Sequence, residues 1–347
     1  MQHECDTSNK IKFSIIATVK NEVGSIACFV ESLLNQSLKP DEVIIVDGNS
    51  NDGTQEILKN YEALKKIRVL VRECNIAEGR NLAIGCAVND YIAVTDAGCI
   101  VDINWLKEIA MAFESTSNPD VVAGNFEFDC HNEFEEAVVL STFNTERAQT
   151  ETAIYFPSSR SVAFKKYAWE KAKGYPEWLY AAEDTLFNIR LRQLKFEFIF
   201  AQKAIVTWRP RETWRALAKQ RFNFSRGNAR VGIGTQGYLI NIKYHGLILL
   251  FFLLSISWPW MLVFSLYPLF LHIRNNLWSQ AKKASQKSTY THIFWRILFV
   301  MEFVRLMGIA GFIRGRLDRW FNKQFIDNQL QWMGIKTLDD LEEKYRA

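Results

Sequence analysis

Carboxylate and amide side chains follow several apolar runs of this chain, at the points where the runs end. In the segment Ile44–Thr54, an apolar run leads into Asp47, and Asp52 stands just before the next helical pattern. A carboxylate at such a place can bind ribose hydroxyls or the edge of a base, and the helix that follows begins with unpaired backbone N–H groups. The alternative is an ordinary turn between a strand and a helix, built from turn-forming residues.

Similar polar clusters end three other apolar runs, which are Lys12–Val19, Ile67–Val71 and Tyr91–Val94. Helical patterns follow each cluster, for example over Val23–Leu34 and Asn104–Phe113. This alternation of strand and helix predicts an α/β fold with a doubly wound, mostly parallel sheet. The polar ends of the four strands would then meet at one edge, where ligands of such sheets bind. The chain has neither the glycine fingerprint of a dinucleotide fold nor a P-loop.

Five polar motifs, in the same order along the chain, resemble those of family 2 glycosyltransferases with the GT-A fold. They are Thr18–Glu22, Asp47–Thr54, Gly79–Asn81, Thr95–Gly98 and Glu183–Asp184. The resemblance implies a GT-A catalytic domain that transfers a sugar from a nucleotide-diphosphate donor to an acceptor hydroxyl, usually with inversion. It also implies a bound divalent cation, Mg²⁺ or Mn²⁺.

The diphosphate leaving group explains the need for a cation, because negative charge grows on it as the sugar departs. Oxygen ligands suit Mg²⁺ and Mn²⁺, and Asp96 at the end of the fourth strand is the candidate ligand. The family often has Asp-x-Asp here, whereas this chain has Gly98 as the third residue. The sequence therefore predicts one carboxylate ligand from this loop. The alternative for Asp96 is a cap on the next helix.

Inversion also requires a base that removes the proton of the acceptor hydroxyl. Glu183 and Asp184 stand just before the helical pattern Thr185–Leu194. The resemblance makes Asp184 the base, with Glu183 orienting the site or shifting the pKa of its neighbour by like charge. An acidic pair can equally stabilise the start of a helix, and both roles can hold together. Trp178 is predicted to stack on the acceptor, with a place in the core as the alternative.

Two arginines complete the predicted site. Arg80 begins a helical pattern and can pair bidentately with phosphate oxygens. Arg160 precedes a short strand, where the family shapes the pocket for the donor sugar and the acceptor. Either could instead form a surface ion pair. The donor-binding residues predicted in this way are Thr18, Asn21, Glu22, Asp47, Asp52, Arg80, Asp96, Arg160 and Arg226.

The composition favours an intracellular enzyme that touches a membrane. The chain of 347 residues is long enough for one large domain and an appendage, and its net charge is only +4. Its six cysteines have no metal-binding spacing and are expected to be reduced, mostly buried thiols. The polar segment Met1–Lys10 lacks the apolar core of a signal peptide. Nothing in the sequence indicates an oligomeric state.

The composition changes after Trp208. Seven arginine and lysine residues with interleaved aromatics fall in 209–230, against the single acid Glu212. Such a segment suits an anionic lipid surface. By resemblance, Arg226 lies where related enzymes contact the donor diphosphate or a lipid headgroup. Nucleic acid is disfavoured as a partner, because no recognised nucleic-acid module accompanies the charge.

Two apolar segments follow. Gly246–Ile273 is longer than one membrane pass requires but too short for two, and its central Trp258-Pro259-Trp260 indicates a kink or a helical hairpin. The basic loop after it favours a re-entrant hairpin over two ordinary passes. Ile293–Ile313 carries charges near one helical face and is expected to pack on protein or lie at the interface. The basic flanks place the catalytic domain on the cytoplasmic face. The alternative to the membrane hairpin is a buried pair of helices in a soluble domain.

The predicted organisation has four parts. They are a GT-A domain at 11–208, a basic interfacial segment at 209–243, hydrophobic membrane helices at 244–315 and an amphipathic tail at 316–347. The predicted partners are a nucleotide-sugar donor and a membrane lipid or lipid-linked acceptor. Two alternatives remain, a nucleotidyltransferase on a similar scaffold and a catalytically silent scaffold that kept the fold.

Overall fold

A computed structural model describes residues 11–143 and 157–337 of the chain. In that part, the chain forms two compact units. The first unit contains residues 11–128 and 157–209, and the second contains residues 129–143 and 210–337. Cys5 and the end of the predicted tail, 338–347, lie outside the described residues, as does 144–156 within the predicted catalytic domain.

The first unit is built on an eight-stranded sheet with the order β3-β2-β1-β4-β7-β6-β8-β5. Its strands are β1 Phe13–Val19, β2 Glu42–Asp47, β3 Arg68–Val71, β4 Tyr91–Val94, β5 Cys99–Val101, β6 Val121–Phe128, β7 Val162–Lys165 and β8 Phe198–Trp208. The first four strands pair in parallel. β7 is antiparallel to β4 and β6, β8 is parallel to β6, and β5 is antiparallel to β8.

One set of helices packs on the sheet of the first unit, and the other helices form the second unit. They are α1 Ile26–Leu34, α2 Thr54–Ala63, α3 Ile76–Cys86, α4 Trp105–Phe113, α5 Glu133–Thr142, α6 Lys166–Ala172, α7 Glu183–Gln193, α8 Trp214–Val231, α9 Thr235–Ser257, α10 Met261–His272, α11 Ser279–Ser285, α12 Ile293–Phe321 and α13 Gln324–Met333. A π-helical turn, Ile273–Trp278, joins α10 to α11. Of these, α1 to α4, α6 and α7 belong to the first unit.

The core of the first unit follows from the burial of β1, β2 and β4 between layers of helices. These parallel strands are almost entirely apolar and buried, as expected of strands covered on both faces. On α1, the buried residues Ile26, Phe29, Val30 and Leu33 repeat at helical spacing and form the face that packs inward. The apolar residues of the strands thus account for the buried sheet, and the helical spacing of apolar residues on α1 accounts for the helix face that packs inward.

Helix α3 packs unusually close to β1. A Cβ atom added at Gly79 would lie 2.8 Å from Cγ2 of Thr18, so only glycine permits this distance between helix and strand. The start of α3 is fixed by a capping box, in which Asn75 accepts from the N–H of Glu78 and Glu78 accepts from the N–H of Asn75. The two features together place Arg80, on the first turn of α3, close to the sheet.

The predicted α/β fold class and its first four strands are confirmed, with ends that shift by at most a residue or so. The remaining half of the sheet is mixed, because β7 runs against its neighbours. The described cysteines carry free thiols, as predicted, but the expectation that most are buried is wrong: only Cys99 is buried among them, whereas Cys28 is exposed and Cys74, Cys86 and Cys130 are half-buried. Burial raises the pKa of the Cys99 thiol to about 12, so this residue stays protonated.

In the second unit, α12 packs along α8. A Cβ atom at Gly311 or Gly315 would collide with the backbone oxygens of Phe222 or Arg226, so these glycines allow the two helices to touch. A buried apolar cluster from α5, α8, α11 and α12 lies beside this contact and includes Leu217, Ile293 and Ile297. The hydroxyl of Ser141 on α5 also donates to the backbone of α12 at Ile297. The segment with α5 is therefore part of the helical unit.

Helices α9 and α10 are joined at Trp258-Pro259-Trp260 and pack against each other, for example through the rings of Phe251 and Phe264. The re-entrant course of this pair through a membrane stays a prediction. Helix α9, Thr235–Ser257, is long and apolar enough to cross a membrane, and no part of its apolar window is buried by protein. The second predicted apolar segment, Ile293–Ile313, lies within the longer helix α12.

Candidate active site

The strand ends of the first unit bring the predicted polar motifs to one edge of the sheet. Val19, the last residue of β1, is level with Asp47, the last residue of β2. On the other side of β1, the backbone N–H of Thr95 donates to the carbonyl of Ile16 at 3.2 Å, just beyond the end of β4. Asp96 follows. The motifs after β1, β2 and β4 therefore share an edge, as the alternation of strands and helices predicts.

The loops after β1 and β2 are joined by side chains from both motifs. The N–H of Asn21 donates to the Ser50 hydroxyl at 2.8 Å. The side chain of Asn21 accepts from the N–H of Asn51 at 3.0 Å. The N–H of Glu22 donates to the Thr54 hydroxyl at 2.9 Å. The two loops thus form one structure, and Asn21 adopts the left-handed backbone conformation with φ of 57°.

Asp52 also links the two loops through hydrogen bonds. Its carboxylate accepts from the Thr54 hydroxyl at 2.6 Å and from the N–H of Val23 at 3.1 Å. The Thr54 hydroxyl, with smaller contributions from backbone N–H groups, lowers the pKa of Asp52. The carboxylate is thereby kept charged and held in place. Its described contacts are those of a residue that shapes the loop, and its predicted contact with a donor stays a prediction.

Asp47 is fully buried at the end of β2. Its Oδ1 accepts from the N–H of Ser50 at 3.0 Å and from the Ser50 hydroxyl at 2.6 Å. Its Oδ2 is buried and has no hydrogen-bond partner among the described residues, and the same is true of the Thr95 hydroxyl. Buried polar atoms in this state are uncommon and costly. Two of them at the same edge of the sheet mark a place where a polar ligand can bind.

Arg80 links the strand-end motifs to the acidic pair. The side chain is 2% exposed, and its Nη2 donates to Asp96 Oδ1 at 2.6 Å while its Nη1 donates to Glu183 Oε1 at 2.8 Å. Burial disfavours the charged form, but the charges of Asp96 and Glu183 outweigh it and raise the pKa of Arg80. The guanidinium also lies over the ring of Tyr175, 5.3 Å from its centre. Arg80 is thus a charged bridge inside the protein.

The acidic pair begins α7, after Ala182, which has a left-handed backbone with φ of 69°. Glu183 is buried and Asp184 is half-buried. Burial, followed by the charge of Asp184, raises the pKa of Glu183 to about 7, although Arg80 opposes the shift. Asp184 Oδ1 accepts from the N–H of Thr185 at 2.7 Å. The two neighbouring carboxyls therefore have different environments, which suits different roles.

Asn81, next to Arg80 on α3, was not given a role from the sequence. Its side-chain amide donates to the carbonyl of Tyr175 at 2.8 Å and to Glu177 Oε1 at 2.9 Å. Its oxygen accepts from the N–H of Tyr175 at 2.8 Å and from the indole of Trp169 at 2.9 Å. Asn81 therefore fixes the segment that leads to Glu183. Its place inside the Gly79–Asn81 motif was the available signal.

The other predicted residues lie in different surroundings. Arg160 stacks over Trp208 at 4.0 Å and donates to the Ser158 hydroxyl at 3.1 Å. Trp178 is half-buried in the segment held by Asn81. Arg226 belongs to the second unit, where its Nε donates to Asp318 at 2.6 Å. The structure brings Asp96, Arg80 and Glu183 into direct contact, and among the described residues no hydrogen bond or ion pair joins Arg160 to them.

The loop after β4 explains the departure from Asp-x-Asp. Gly98 has φ of +85°, a conformation that an aspartate adopts only with strain. A Cβ atom built there would lie 3.9 Å from Glu22 Oε2. Glu22, from the loop after β1, therefore brings a carboxylate near the place where the second aspartate would stand. Asp96 and Glu22 are the acidic groups of this edge that could hold a divalent cation.

Comparison with known proteins identifies the family of the first unit. Residues 14–171 match the family described as Glycosyl transferase family 2. The O-antigen chain rhamnosyltransferase RfbN of Salmonella typhimurium is 21% identical over 58% of this chain and 69% of its own length. The poly-beta-1,6-N-acetyl-D-glucosamine synthase of Staphylococcus epidermidis is 24% identical over 88% of this chain and 76% of its own length.

A solved structure confirms the fold. The mannosyltransferase PcManGT of Pyrobaculum calidifontis, in complex with GDP-Man and Mn²⁺, has a TM-score of 0.56 and 16% identity over 89% of this chain and 88% of its own. The family match and the curated relatives favour glycosyl transfer over the two alternatives, a nucleotidyltransferase and a silent scaffold. Residues 14–171 thus form a family 2 glycosyltransferase domain, and the chain is a glycosyltransferase with the GT-A fold.

Proposed function

We propose that the protein transfers a sugar, with inversion, from a nucleoside-diphosphate donor to a hydroxyl of a membrane-associated, lipid-linked acceptor. The observation that carries the proposal is the Arg80 bridge. It joins Asp96, at the edge where the donor is expected, to Glu183, the neighbour of the expected base, with bonds of 2.6 and 2.8 Å. The buried guanidinium of Arg80 thus fixes the position of Asp96, on the proposed donor side, relative to Glu183, on the proposed acceptor side.

The unpartnered polar atoms at the sheet edge support donor binding. Asp47 Oδ2 and the Thr95 hydroxyl are buried without partners among the described residues. Ribose hydroxyls or base N–H groups would donate to Asp47, and the joined loops at Asn21 and Glu22 would form the wall beside it. The solved mannosyltransferase binds GDP-Man and a further relative makes poly-N-acetylglucosamine, which makes a nucleotide sugar the expected donor.

The residues present fit a divalent cation. Asp96 retains partial exposure, at 24%, and Glu22 places a second carboxylate near Gly98. Asp96 and Glu22 would hold the ion. When bound, Mg²⁺ or Mn²⁺ neutralises charge on the diphosphate leaving group. The solved relative contains Mn²⁺.

Asp184 is the proposed base. The acceptor oxygen attacks the anomeric carbon from the face opposite the diphosphate, the new C–O bond forms, and the bond from the anomeric carbon to the phosphate oxygen breaks. Asp184 takes the hydroxyl proton, and the electron pair leaves with the nucleoside diphosphate. The hydrogen bond from Thr185 orients Asp184, and Glu183 next to it is held by Arg80. Trp178 and Arg160 are proposed to contact the acceptor and the donor sugar.

The second unit supports a membrane-associated acceptor. Large apolar side chains on α9, on α10 and at their junction are exposed, among them Leu253, Ile256, Trp258, Trp260, Val263 and Phe264. Such a continuous apolar surface suits lipid better than water. We place this hairpin in the bilayer, with the basic helix α8 and the catalytic unit on the cytoplasmic side. The donor-contact role of Arg226 stays a prediction.

A donor screen tests the proposal. The full chain, purified in detergent, is heated with UDP-, GDP-, dTDP- and CMP-sugars, with and without Mn²⁺. One nucleotide class should raise the melting temperature, with a larger rise when Mn²⁺ is present. Transfer from that donor to lipid-linked acceptors is then measured, and the anomeric configuration of the product is determined.

The matched variants are Asp96→Asn and Glu22→Gln, which should reduce the effect of Mn²⁺, and Glu170→Gln on the exposed side of α6, which should not. Folded protein that responds to none of these donors would contradict the proposal. A product that retains the donor's configuration would contradict inversion alone.

A further inference from the structure

Two histidines and a glutamate of the second unit meet outside the proposed catalytic site. His245 lies on α9, His272 ends α10, and Glu302 lies on α12. His245 Nε2 is 2.6 Å from Glu302 Oε1, and His272 Nε2 is 2.9 Å from Glu302 Oε2. One ligand atom from each residue can be chosen so that all three lie within 4.8 Å of one another. The glycosyl-transfer chemistry proposed above uses none of the three residues.

The hydrogen bond made by Nδ1 of His245 determines which species can lie between Nε2 of His245 and Glu302. Nδ1 is 2.7 Å from the backbone oxygen of Asn241. A carbonyl oxygen only accepts, so Nδ1 carries the hydrogen. In a neutral ring, Nε2 then presents a lone pair to a carboxylate oxygen 2.6 Å away, which is repulsive. A positive species must therefore lie at Nε2, either a proton or a metal ion.

His272 distinguishes between these two species. Its side chain is fully buried, and its ring contacts His245 edge-on, with the centres 4.8 Å apart. A second protonated imidazole there would place two positive rings in contact, with one carboxylate to balance them. Arg305, one turn beyond Glu302, adds a further positive charge, and its Nη2 donates to the carbonyl of Asn276 at 2.8 Å. Two neutral imidazole rings that both bind one divalent ion avoid placing two positively charged rings in contact.

We propose that His245, His272 and Glu302 bind one divalent transition-metal ion. Two imidazoles and a carboxylate are a donor set typical of zinc and of iron, cobalt or nickel, whereas Mg²⁺ prefers oxygen ligands alone. Metal-bound histidines commonly donate their other N–H to a backbone carbonyl, as His245 does to Asn241. Bonds of roughly 2.0–2.2 Å at tetrahedral angles place ligand atoms about 3.3–3.6 Å apart, so the present 2.6 and 2.9 Å distances must lengthen by about 0.4–1 Å when the ion binds.

The ion would connect three helices that are separate along the chain. His245 and His272 belong to the two arms of the exposed hairpin, and Glu302 belongs to α12, which packs on the rest of the second unit. The metal would therefore anchor both arms at the end opposite Trp258-Pro259-Trp260. The inference rests on nitrogen ligands and does not depend on the proposed glycosyl transfer or on its cation.

Metal content and cobalt spectroscopy test this site. The full chain is purified in detergent with a tag that contains no histidine, from medium supplemented with zinc, and its metals are measured by inductively coupled plasma mass spectrometry. We expect one zinc ion per chain. After chelation and addition of Co²⁺, the protein should show the visible ligand-field absorption of a low-coordinate site with nitrogen ligands.

The variants His272→Ala, His245→Gln and Glu302→Gln should lose both the zinc ion and the cobalt spectrum. His292→Ala is the matched control, because His292 is exposed at the start of α12, and it should retain both. The cobalt spectrum of the unaltered chain keeps the test valid if a variant fails to fold. Wild-type protein without zinc and without a cobalt spectrum would overturn the proposal, as would equal metal content in His272→Ala.

Discussion

The two units of this glycosyltransferase distribute polarity in opposite ways. In the first unit, apolar strands are buried and polar groups collect at one edge of the sheet, where Arg80, Asp96 and Glu183 form a charged network. In the second unit, leucine and phenylalanine side chains of α9 and α10 and the tryptophans of their junction are exposed, while His272 is fully buried. The contrast is the one expected if the first unit binds a soluble ligand and the second unit, as proposed, contacts lipid.

The largest effect should come from the proposed base, Asp184. If it is the proton acceptor, Asp184→Asn removes that group while keeping the size of the side chain, so kcat should fall by roughly 10²- to 10⁴-fold. The dissociation constant of the donor should stay nearly unchanged, because the proposed donor contacts lie elsewhere. Transfer assays and donor titration measure the two quantities. Wild-type kcat in this variant would remove Asp184 from the mechanism, and Glu170→Gln controls for the loss of an acidic side chain.

A smaller effect, on protein stability rather than on kcat, is expected when Arg80 is replaced. Arg80→Met leaves Asp96 and Glu183 without their shared cation, and removal of one partner from a buried ion pair costs about 3–5 kcal/mol. The melting temperature of the variant should therefore fall by several degrees or more. Arg72→Met, at an exposed position just beyond β3, should change it little. Equal melting temperatures for the two variants would mean that the network contributes no net stability.

The contrast between the units can be tested with one substitution placed in each. Leu253→Asp on the exposed face of α9, where Leu253 is 52% exposed, should weaken binding to liposomes. A charged residue within a bilayer costs about 3 kcal/mol, which corresponds to roughly 100-fold. Leu64→Asp, at a position 66% exposed in the first unit, should have no effect on flotation with liposomes. Equal effects at the two positions would disprove the lipid role of α9.

The smallest effect concerns pH. The pKa of Glu183 is raised from 4.5 to about 7, so the folded protein holds this proton more tightly than the unfolded chain. Stability from this group is therefore complete below about pH 4.5 and is lost as the pH rises to about 7, by an amount on the order of 1–3 kcal/mol. Glu183→Gln should flatten the melting temperature over this range. A profile identical to that of the wild type would mean that Glu183 does not titrate there.

The sequence predicted the first half of the sheet because apolar strand runs and helical periods are local properties. It also predicted which motifs share an edge, since parallel strands end on the same side. The second half of the sheet, with its mixed strand directions, could not be predicted, because the direction of β7 depends on its neighbouring strands rather than on its own residues. The Arg80–Glu183 contact joins residues 103 positions apart, and no local pattern reports such a pair.

Asn81 and the histidine–glutamate cluster were missed for a related reason. Asn81 is an ordinary helical residue until the chain near Tyr175 folds onto it. His245 and His272 each stand alone in or beside an apolar run, and only the packing of α9 and α10 on α12 brings them to Glu302. The sequence therefore identified side chains that act in motifs and overlooked those whose role depends on a tertiary contact.

The position of Arg80 and Asn81 on one turn of α3 has a consequence for altering this enzyme. Arg80 holds Asp96 and Glu183, Asn81 holds the segment before Glu183, and Gly79 fixes the distance of the helix from β1. A substitution that shifts α3 would disturb the donor side and the acceptor side of the proposed site together. Engineering for a new donor nucleotide should therefore start in the loops after β1 and β2, next to Asn21 and Ser50, while α3 is left unchanged.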